Sequence, residues 1–494
     1  MNGFLPILVV GLYVLAAGML MLYGLNCYAM IFLFRRRRRA AEQRIREIDE
    51  GAGDLFAPDA DPPTVTTQIA VFNELNVVER VVRAACAMRY PAGRHEIQVL
   101  DDSTDETGAR LDALAGTLRT DGHDVRVIRR ANRIGFKAGA LAHGMAMARG
   151  GLLAVFDADF VPPPDYLLRT VPFFRADPTL GLVQARWGHL NRRRSLLTRA
   201  QSVGIDGHFM VEQAARSWNG LYMNFNGTAG IWRRSAILAG GGWQWDTLTE
   251  DMDLSYRVQF AGWKTVFLPD LVVPAEIPED VGAFKSQQFR WAKGSTQTAI
   301  KLLPELFRRP DPPFRKIQAA FHMTHYFVHP MMLTLGVLTL PVLRLLDARF
   351  GPVVFGILAT VLAISIMAPS ALYLVSQRAA YRDWPVRILC LPILVVVGVG
   401  LAVSNSRAVA EALLGRESPF VRTPKRGDRE VKRYRVGTPI LAGFEIGLGL
   451  YCAFSLDVYL SAGKYLIGPF LAVYAAGFLF IGLLTLVQSL APGR

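Results

Sequence analysis

The chain has 494 residues, of which 51% are hydrophobic and 19% charged, with a formal net charge of +14. That length exceeds one ordinary domain, and that balance excludes a single soluble unit with its apolar residues evenly dispersed. Cys27, Cys86, Cys390 and Cys452 are scattered, which excludes a disulfide framework and a cysteine-rich metal site.

The first element is an apolar run from Phe4 to Phe34 without a charged residue, followed by Arg35–Arg39. A bilayer core needs about 20 apolar residues as helix. The charges follow the run instead of preceding it, so residues 1–34 are expected to be an uncleaved transmembrane anchor and not a signal peptide. Basic residues stay on the cytoplasmic side, so 35–63 is expected to be a basic cytosolic linker. The positive charge belongs to this membrane arrangement, and no nucleic-acid partner is expected.

From 64 to 280, short β-rich runs alternate with helical patterns. Strands are expected at Thr66–Phe72, Glu96–Leu100, Val125–Ile128 and Leu152–Phe156, with helices at Val77–Met88, Thr104–Leu118 and Ala138–Ala148 between them. That order predicts a mostly parallel sheet with helices on both faces. Ligands of such sheets sit at the carboxyl ends of the strands.

After the first strand comes Asn73-Glu74, without the glycine-rich turn of a dinucleotide site. After the second come Asp101 and Asp102, then Ser103 and Glu106 at capping-box spacing. A helix start explains the later pair, whereas Asp101 and Asp102 are free to accept hydrogen bonds from a nucleotide base. After the fourth, Asp157-Ala158-Asp159 precedes Pro162-Pro163-Pro164. Two carboxylates one residue apart at a strand end suit a divalent ion that also holds a diphosphate.

Thr249, Glu250 and Asp251 open a further helical run. Helix capping by Thr249 explains part of it, and a carboxylate there is equally suited to act as general base. Gln287, Arg290 and Trp291 share one face of a helix just before the membrane resumes. Interface anchoring explains Arg290 and Trp291 but leaves Gln287 without a reason.

Residues 281–316 are read as interfacial helices, and 317–494 as a membrane region of about four spans, near 325–346, 352–376, 438–460 and 465–489. The segment 387–414 starts apolar but contains Asn405, Arg407 and Glu411. The basic stretch from Glu417 to Arg435 must share the cytoplasmic side with the soluble domain, so 387–414 is placed along the inner interface. Asn405 and Glu445, polar at membrane depth, are expected to line a cavity.

The order Asp-Asp, Asp-x-Asp, Thr-Glu-Asp and Gln-x-x-Arg-Trp ahead of a membrane region resembles the processive, cellulose-synthase-like branch of glycosyltransferase family 2. The stretches Gln98–Asp105 and Asn224–Gly230 are similar to its mannan and glucan synthases and their bacterial relatives. Phe420–Lys425 is similar to the branch's Phe-x-Val-Thr-x-Lys gating loop, set here within 417–435, with Arg422 where valine is usual.

The resemblance implies a cytosolic α/β nucleotide-sugar-binding (GT-A-like) domain plus an α-helical multi-pass membrane region, in a bacterial inner membrane. It implies an inverting enzyme that extends and translocates a β-linked polysaccharide from a donor of the UDP-glucose or GDP-mannose class, with a glycan or lipid acceptor. Glu74, Asp101 and Asp102 would contact the nucleoside, and Lys137 a phosphate. Asp157 and Asp159 would hold Mg2+ or Mn2+. Asp251, beside Glu250, would be the catalytic base. Gln287 and Arg290 would stabilise the leaving diphosphate, Trp291 would stack on the acceptor, and Thr423 and Lys425 would close over the nucleotide. Two rivals are a lipid glycosyltransferase that adds one sugar and a non-catalytic nucleotide-binding receptor. No accessory subunit is assigned.

Overall fold

The computed structural model describes residues 4–57, 59–347, 352–418, 427 and 439–490. Valine-, isoleucine- and leucine-rich runs form β1 (Val65–Val71), β2 (His95–Asp101), β3 (Val125–Ile128) and β4 (Leu152–Asp157). β5 (Leu180–His189), β6 (Gly230–Arg233) and β7 (Lys264–Ala275) complete one seven-stranded sheet in the order β3-β2-β1-β4-β6-β5-β7. β1 to β4 pair in parallel, as do β5 and β7, while β6 runs antiparallel to both of its neighbours. The expected mostly parallel sheet is present, with one reversed strand that the alternation did not reveal.

Helices cover both faces, and for that reason β1 and β4 are buried along nearly their whole length. α1 (Phe4–Glu50) precedes the sheet; α2 (Val78–Cys86), α3 (Thr107–Thr120), α4 (Phe136–Met147) and α5 (Tyr166–Ala176) connect β1 through β5. α6 (Leu196–Gly207), a π-helical turn at His208–Gln213 and α7 (Ala214–Trp218) lead to β6, and α8 (Arg234–Ala239) and α9 (Glu250–Phe260) lead to β7. This is the GT-A-like arrangement expected from the motifs. Register pairs Val71 with Asp101 and Ala70 with Asp157, so the chain leaves β1, β2 and β4 at one edge.

Beyond the sheet come α10 (Val281–Arg308), α11 (Pro313–Met323), α12 (Val328–Asp347), α13 (Pro352–Ala380) and α14 (Trp384–Arg387). α15 (Leu391–Gly400), α16 (Ala402–Leu413), α17 (Pro439–Ser461) and α18 (Gly468–Leu490) follow. Among the described residues five helices are long and apolar enough to cross a membrane, within Phe4–Phe56, His325–Leu345, Gly356–Ala380, Ile440–Ser461 and Tyr465–Leu490. The pair Trp384–Gly400 and Ala402–Leu413, bent by 43°, makes a sixth if it counts as one span.

Three local readings change. Ser103 and Glu106 form no capping box: the Ser103 hydroxyl accepts from the Asn73 amide at 2.9 Å, and Asp105 accepts from Thr107 N at 3.0 Å to start α3. Thr249 stands at the N-cap of α9, but its hydroxyl turns to Thr298 on α10 at 3.1 Å. Asn405 and Glu445 are enclosed by protein: Asn405 Nδ2 meets His329 Nε2 at 2.9 Å, and Glu445 accepts from Lys285 Nζ at 2.7 and 2.9 Å. Both polar groups find tertiary partners from other helices, which a linear sequence does not display.

Candidate active site

The carboxyl ends of β1, β2 and β4 open on a cleft of about 130 Å³ whose wall includes Glu74, Asp102, Lys137, Asp157, Asp159 and Arg290. Six residues from five separate stretches of sequence thus share one concavity. Asp102 is clamped by Arg130, whose Nε and second terminal nitrogen donate to its two oxygens at 2.8 and 2.6 Å. The same guanidinium donates to the carbonyls of Ile134 and Phe136 at 2.6 and 2.7 Å. It therefore fixes the turn that carries Lys137. Asp101 points elsewhere: it is buried, accepts from Arg129 Nε at 2.9 Å and from Ser103 N at 3.0 Å, and holds the β2–α3 turn.

Sequence reasoning passed over Arg130, Arg133 and Phe72. The Arg133 guanidinium lies 3.2 Å from the centroid of Phe72, and both line the cleft. The signal was present, since Arg129, Arg130 and Arg133 follow directly on β3, at a strand end next to β2.

Lys137 enters through a tight turn in which Gly135 has φ +73° and Phe136 φ +46°. Glycine is required at 135, because a side chain there would collide with the Trp245 ring at 2.6 Å. The Lys137 ammonium donates to Asp157 and, at 2.8 Å, to the carbonyl of Gly227.

The strap from Asn224 to Ala229 ties the site together. Asp157 N donates to Thr228 Oγ1 at 2.9 Å, and Phe225 N donates to Ser255 Oγ at 2.7 Å, one turn along α9 from Asp251. A Cβ at Gly227 would stand 3.0 Å from Asp251 Oδ2 and 3.4 Å from Lys137 Nζ, so carboxyl and ammonium flank this glycine. Asn226 sits between Gln213 Nε2, at 2.6 Å from its oxygen, and His208 Nε2, at 3.0 Å from its nitrogen. His208 and Gln213 come from the π-helical turn, a second feature the sequence did not signal.

Electrostatics follow from this crowding. Burial, then the Glu250 carboxylate, push Asp251 up from an ordinary 3.8 to about 7. Glu250 is also raised, chiefly by burial. Burial works against the charge of Lys137, but Asp157, Glu250 and Asp251 together raise it. Burial lowers Arg290 against the pull of Glu250, Asp157 and Asp251. Two cations thus share a partly exposed site with three carboxylates.

On α10, Arg290 reaches the cleft and Trp291 turns toward Trp187 of β5, with ring centroids 6.4 Å apart. Gln287 lies on the same helix, half-buried. Beyond Lys137 a second cleft, of about 350 Å³, is bounded by Trp245, Thr247, Glu250 and Gln297. Thr423 and Lys425 lie outside the described residues.

No cluster of three or more His, Cys, Asp or Glu side chains able to enclose a metal occurs among the described residues. Mg2+ and Mn2+ do not need one, because a hard ion commonly takes one or two carboxylates and completes its shell with substrate phosphate and water. Asp157 and Asp159, both in the cleft wall, fit that donor set.

A family profile described as "Glycosyltransferase like family 2" matches residues 62–294. Glucomannan 4-beta-mannosyltransferase 9 of Arabidopsis thaliana is 32% identical over 512 residues, covering 97% of this chain and 92% of that one. Probable glucomannan 4-beta-mannosyltransferase 9 of Oryza sativa subsp. japonica is 33% identical, covering 88% of this chain and 84% of that one. Glucomannan 4-beta-mannosyltransferase 2 of Arabidopsis thaliana is 42% identical over 258 residues, 51% of this chain and 48% of that one. The chain thus spans about half the length of several curated relatives it matches. Among solved structures, the mannosyltransferase PcManGT from Pyrobaculum calidifontis, in complex with GDP-Man and Mn2+, has 19% identity and a TM-score of 0.47, over 79% of this chain and 99% of that one.

Proposed function

The chain belongs to glycosyltransferase family 2, with the cellulose-synthase-like glucomannan mannosyltransferases, and from this we propose an enzyme that builds a β-linked, mannan-type polysaccharide in a membrane. The donor is a nucleotide-sugar of the GDP-mannose or UDP-glucose class, and the acceptor is the end of the growing glycan. The apolar helices anchor the enzyme, with residues 64–280 on the cytosolic side together with Arg35–Arg39.

The observation that supports this reading best is Asp251. It is a carboxyl raised to about 7 by burial, with Glu250, Lys137 and Asp157 acting on it, and across Gly227 it faces Lys137, which lines the cleft. A base poised near the working pH transfers protons most effectively. Asp251 takes the proton of the acceptor hydroxyl as that oxygen forms its bond to the anomeric carbon. The bond from that carbon to the diphosphate oxygen breaks on the opposite face, so an α-linked donor yields a β-linked product. Lys137 and Arg290, held in place by the carboxylates around them, meet the charge that grows on the diphosphate. A divalent ion held by Asp157 and Asp159 would supply further positive charge to that diphosphate. Asp102, fixed by Arg130, and Glu74 orient the nucleoside, and Trp291, backed by Trp187, offers an aromatic face to the acceptor.

The test is incubation of the purified full chain with GDP-mannose or UDP-glucose and Mn2+, followed by product sizing and linkage analysis. A β-linked polymer with released nucleoside diphosphate is expected. A single-sugar glycolipid, or retained nucleotide without diphosphate release, overturns the reading.

A further inference from the structure

Away from both clefts, arginines from two distant stretches of sequence meet where the sheet domain rests on the membrane helices. Arg192, Arg193 and Arg194 make one 3-10 turn between β5 and α6. Arg382 and Arg387 lie in the segment that joins α13 to α15. α6 packs on that segment at Ile388–Cys390 and on α15 beyond it. Burial, then the charge of Arg387, hold Arg192 below the ordinary arginine range, with Asp383 acting the other way. A guanidinium does not escape such crowding by losing its proton. Both side chains are nonetheless fixed. Arg192 Nε donates to Ser202 Oγ at 3.2 Å, and Arg387 Nε donates to Asp383 Oδ1 at 2.8 Å. The Arg387 guanidinium also lies 3.4 Å from the centroid of the Tyr381 ring. Acidic partners are few: Glu279 stands 3.8 Å from Arg194, while the exposed Arg193 and Arg382 make no ion pair among the described residues. Like charges held side by side repel, and an anion placed between them relieves that cost.

The same surface carries apolar side chains that nothing covers. Leu190 and Leu196 bracket the arginine turn and are exposed, and Val386 and Leu389 flank Arg387 at 68% and 73% exposed. Leu389 leads into α15, and the span within Gly356–Ala380 ends just before Arg382. Basic groups interleaved with outward apolar ones at the end of a span make a surface suited to the headgroup layer. We propose that this composite patch binds the phosphate headgroup of an anionic phospholipid, in the leaflet that faces the sheet domain, with Arg192 and Arg387 as its paired contacts. Arg193, Arg194 and Arg382 supply the surrounding charge, and the exposed leucines and valine enter the adjoining acyl region. The inference rests on the membrane reading above and adds to it a specific lipid. The arginine turn follows directly on β5, so a bound lipid ties the strand that carries Trp187 to the bilayer.

The experiment reconstitutes the full chain in bilayers of phosphatidylcholine and phosphatidylglycerol in equal parts, extracts it into detergent and measures the retained lipids by native mass spectrometry. Thermal unfolding is recorded for each variant. The wild type is expected to retain phosphatidylglycerol in preference, and Arg192→Gln with Arg387→Gln to lower that preference about tenfold. Arg193→Gln with Arg382→Gln, which breaks no ion pair, is expected to act in the same direction and more weakly. Arg36→Gln with Arg37→Gln removes as much charge from α1 and is expected to leave the preference intact. No preference in the wild type, or an equal loss in the α1 variant, overturns the site while the membrane reading stands. Displacement of phosphatidylglycerol by inorganic phosphate alone assigns the arginines to a soluble anion and overturns the lipid. A wild-type chain that an alkaline carbonate wash strips from the bilayer overturns both readings.

Discussion

Lys137 and Asp157 form an ion pair across the β4 edge, and the same ammonium donates to the Gly227 carbonyl at 2.8 Å. The lysine is thereby held against a carboxylate of the cleft wall, the one proposed to carry the diphosphate's metal ion. This pairing joins a residue of α4, a strand end and the 224–229 strap in one polar contact, and the first prediction follows from it.

In the proposed reaction Lys137→Met removes a donor from the place where leaving-group charge develops. Loss of such a preorganised donor costs about 10²–10³-fold in rate. Steady-state kinetics should show most of the loss in kcat. A loss confined to KM for the donor would mean that the lysine only binds.

Asp251→Asn should lower kcat roughly 10²–10⁴-fold while nucleotide binding is retained. In the wild type, kcat/KM should rise with pH through an apparent pKa of about 7, which belongs to Asp251 together with Glu250. Stability runs the other way. The folded-state pKa of Asp251 is raised above its ordinary 3.8, so the folded chain holds a proton that the unfolded chain has lost between 3.8 and about 7. Its contribution to stability therefore declines as pH rises across that window. Asn carries no such penalty, so thermal unfolding at pH 8 should occur higher in the variant than in the wild type.

Arg130→Ala removes the guanidinium that clamps Asp102, with the pair's side chains only 11% and 8% exposed in the wild type. Breaking a buried ion pair from one side costs about 3–5 kcal/mol. The carbonyls of Ile134 and Phe136 also lose the Arg130 N–H groups that donate to them, so nucleotide affinity should fall together with the melting temperature. An unchanged affinity in calorimetry would separate Asp102 from nucleotide recognition.

Lys285 and Glu445 form a buried pair between α10 and α17, with Thr485 of α18 beside the ammonium. Lys285→Met should destabilise by about 3–5 kcal/mol, and Lys285→Met combined with Glu445→Leu should recover most of that. Unfolding in detergent with and without nucleotide reads this directly, since neither residue borders the two clefts.

Treatment with EDTA should abolish transfer, and Mn2+ or Mg2+ should restore it. Asp157→Asn with Asp159→Asn should raise the metal concentration needed for half-maximal rate by more than tenfold, or remove activity entirely. Full activity in EDTA would remove the ion from the reaction.

Much of this protein was legible in the sequence because its signals are local. Period-2 and period-3.6 patterns depend on neighbours within a few residues, so β1 to β4 and the helices between them were readable to within a few positions. Apolar runs of bilayer length identified the five long helices in the same way. The motif order supplied Asp102, Asp157, Lys137, Asp251 and Arg290, and with them the family.

Tertiary structure alone decided the rest, because those facts are distances between residues far apart in the chain. It turned Asp101 onto Arg129 and gave Asp102 to Arg130, although the two aspartates are adjacent and chemically alike. It reversed β6, paired Glu445 with Lys285 from another helix, and left Trp245 exposed beside Gly135. A sequence fixes which groups are available and which local shapes they prefer. Which charge meets which partner, and which pKa moves, depends on packing between elements that local pattern does not encode.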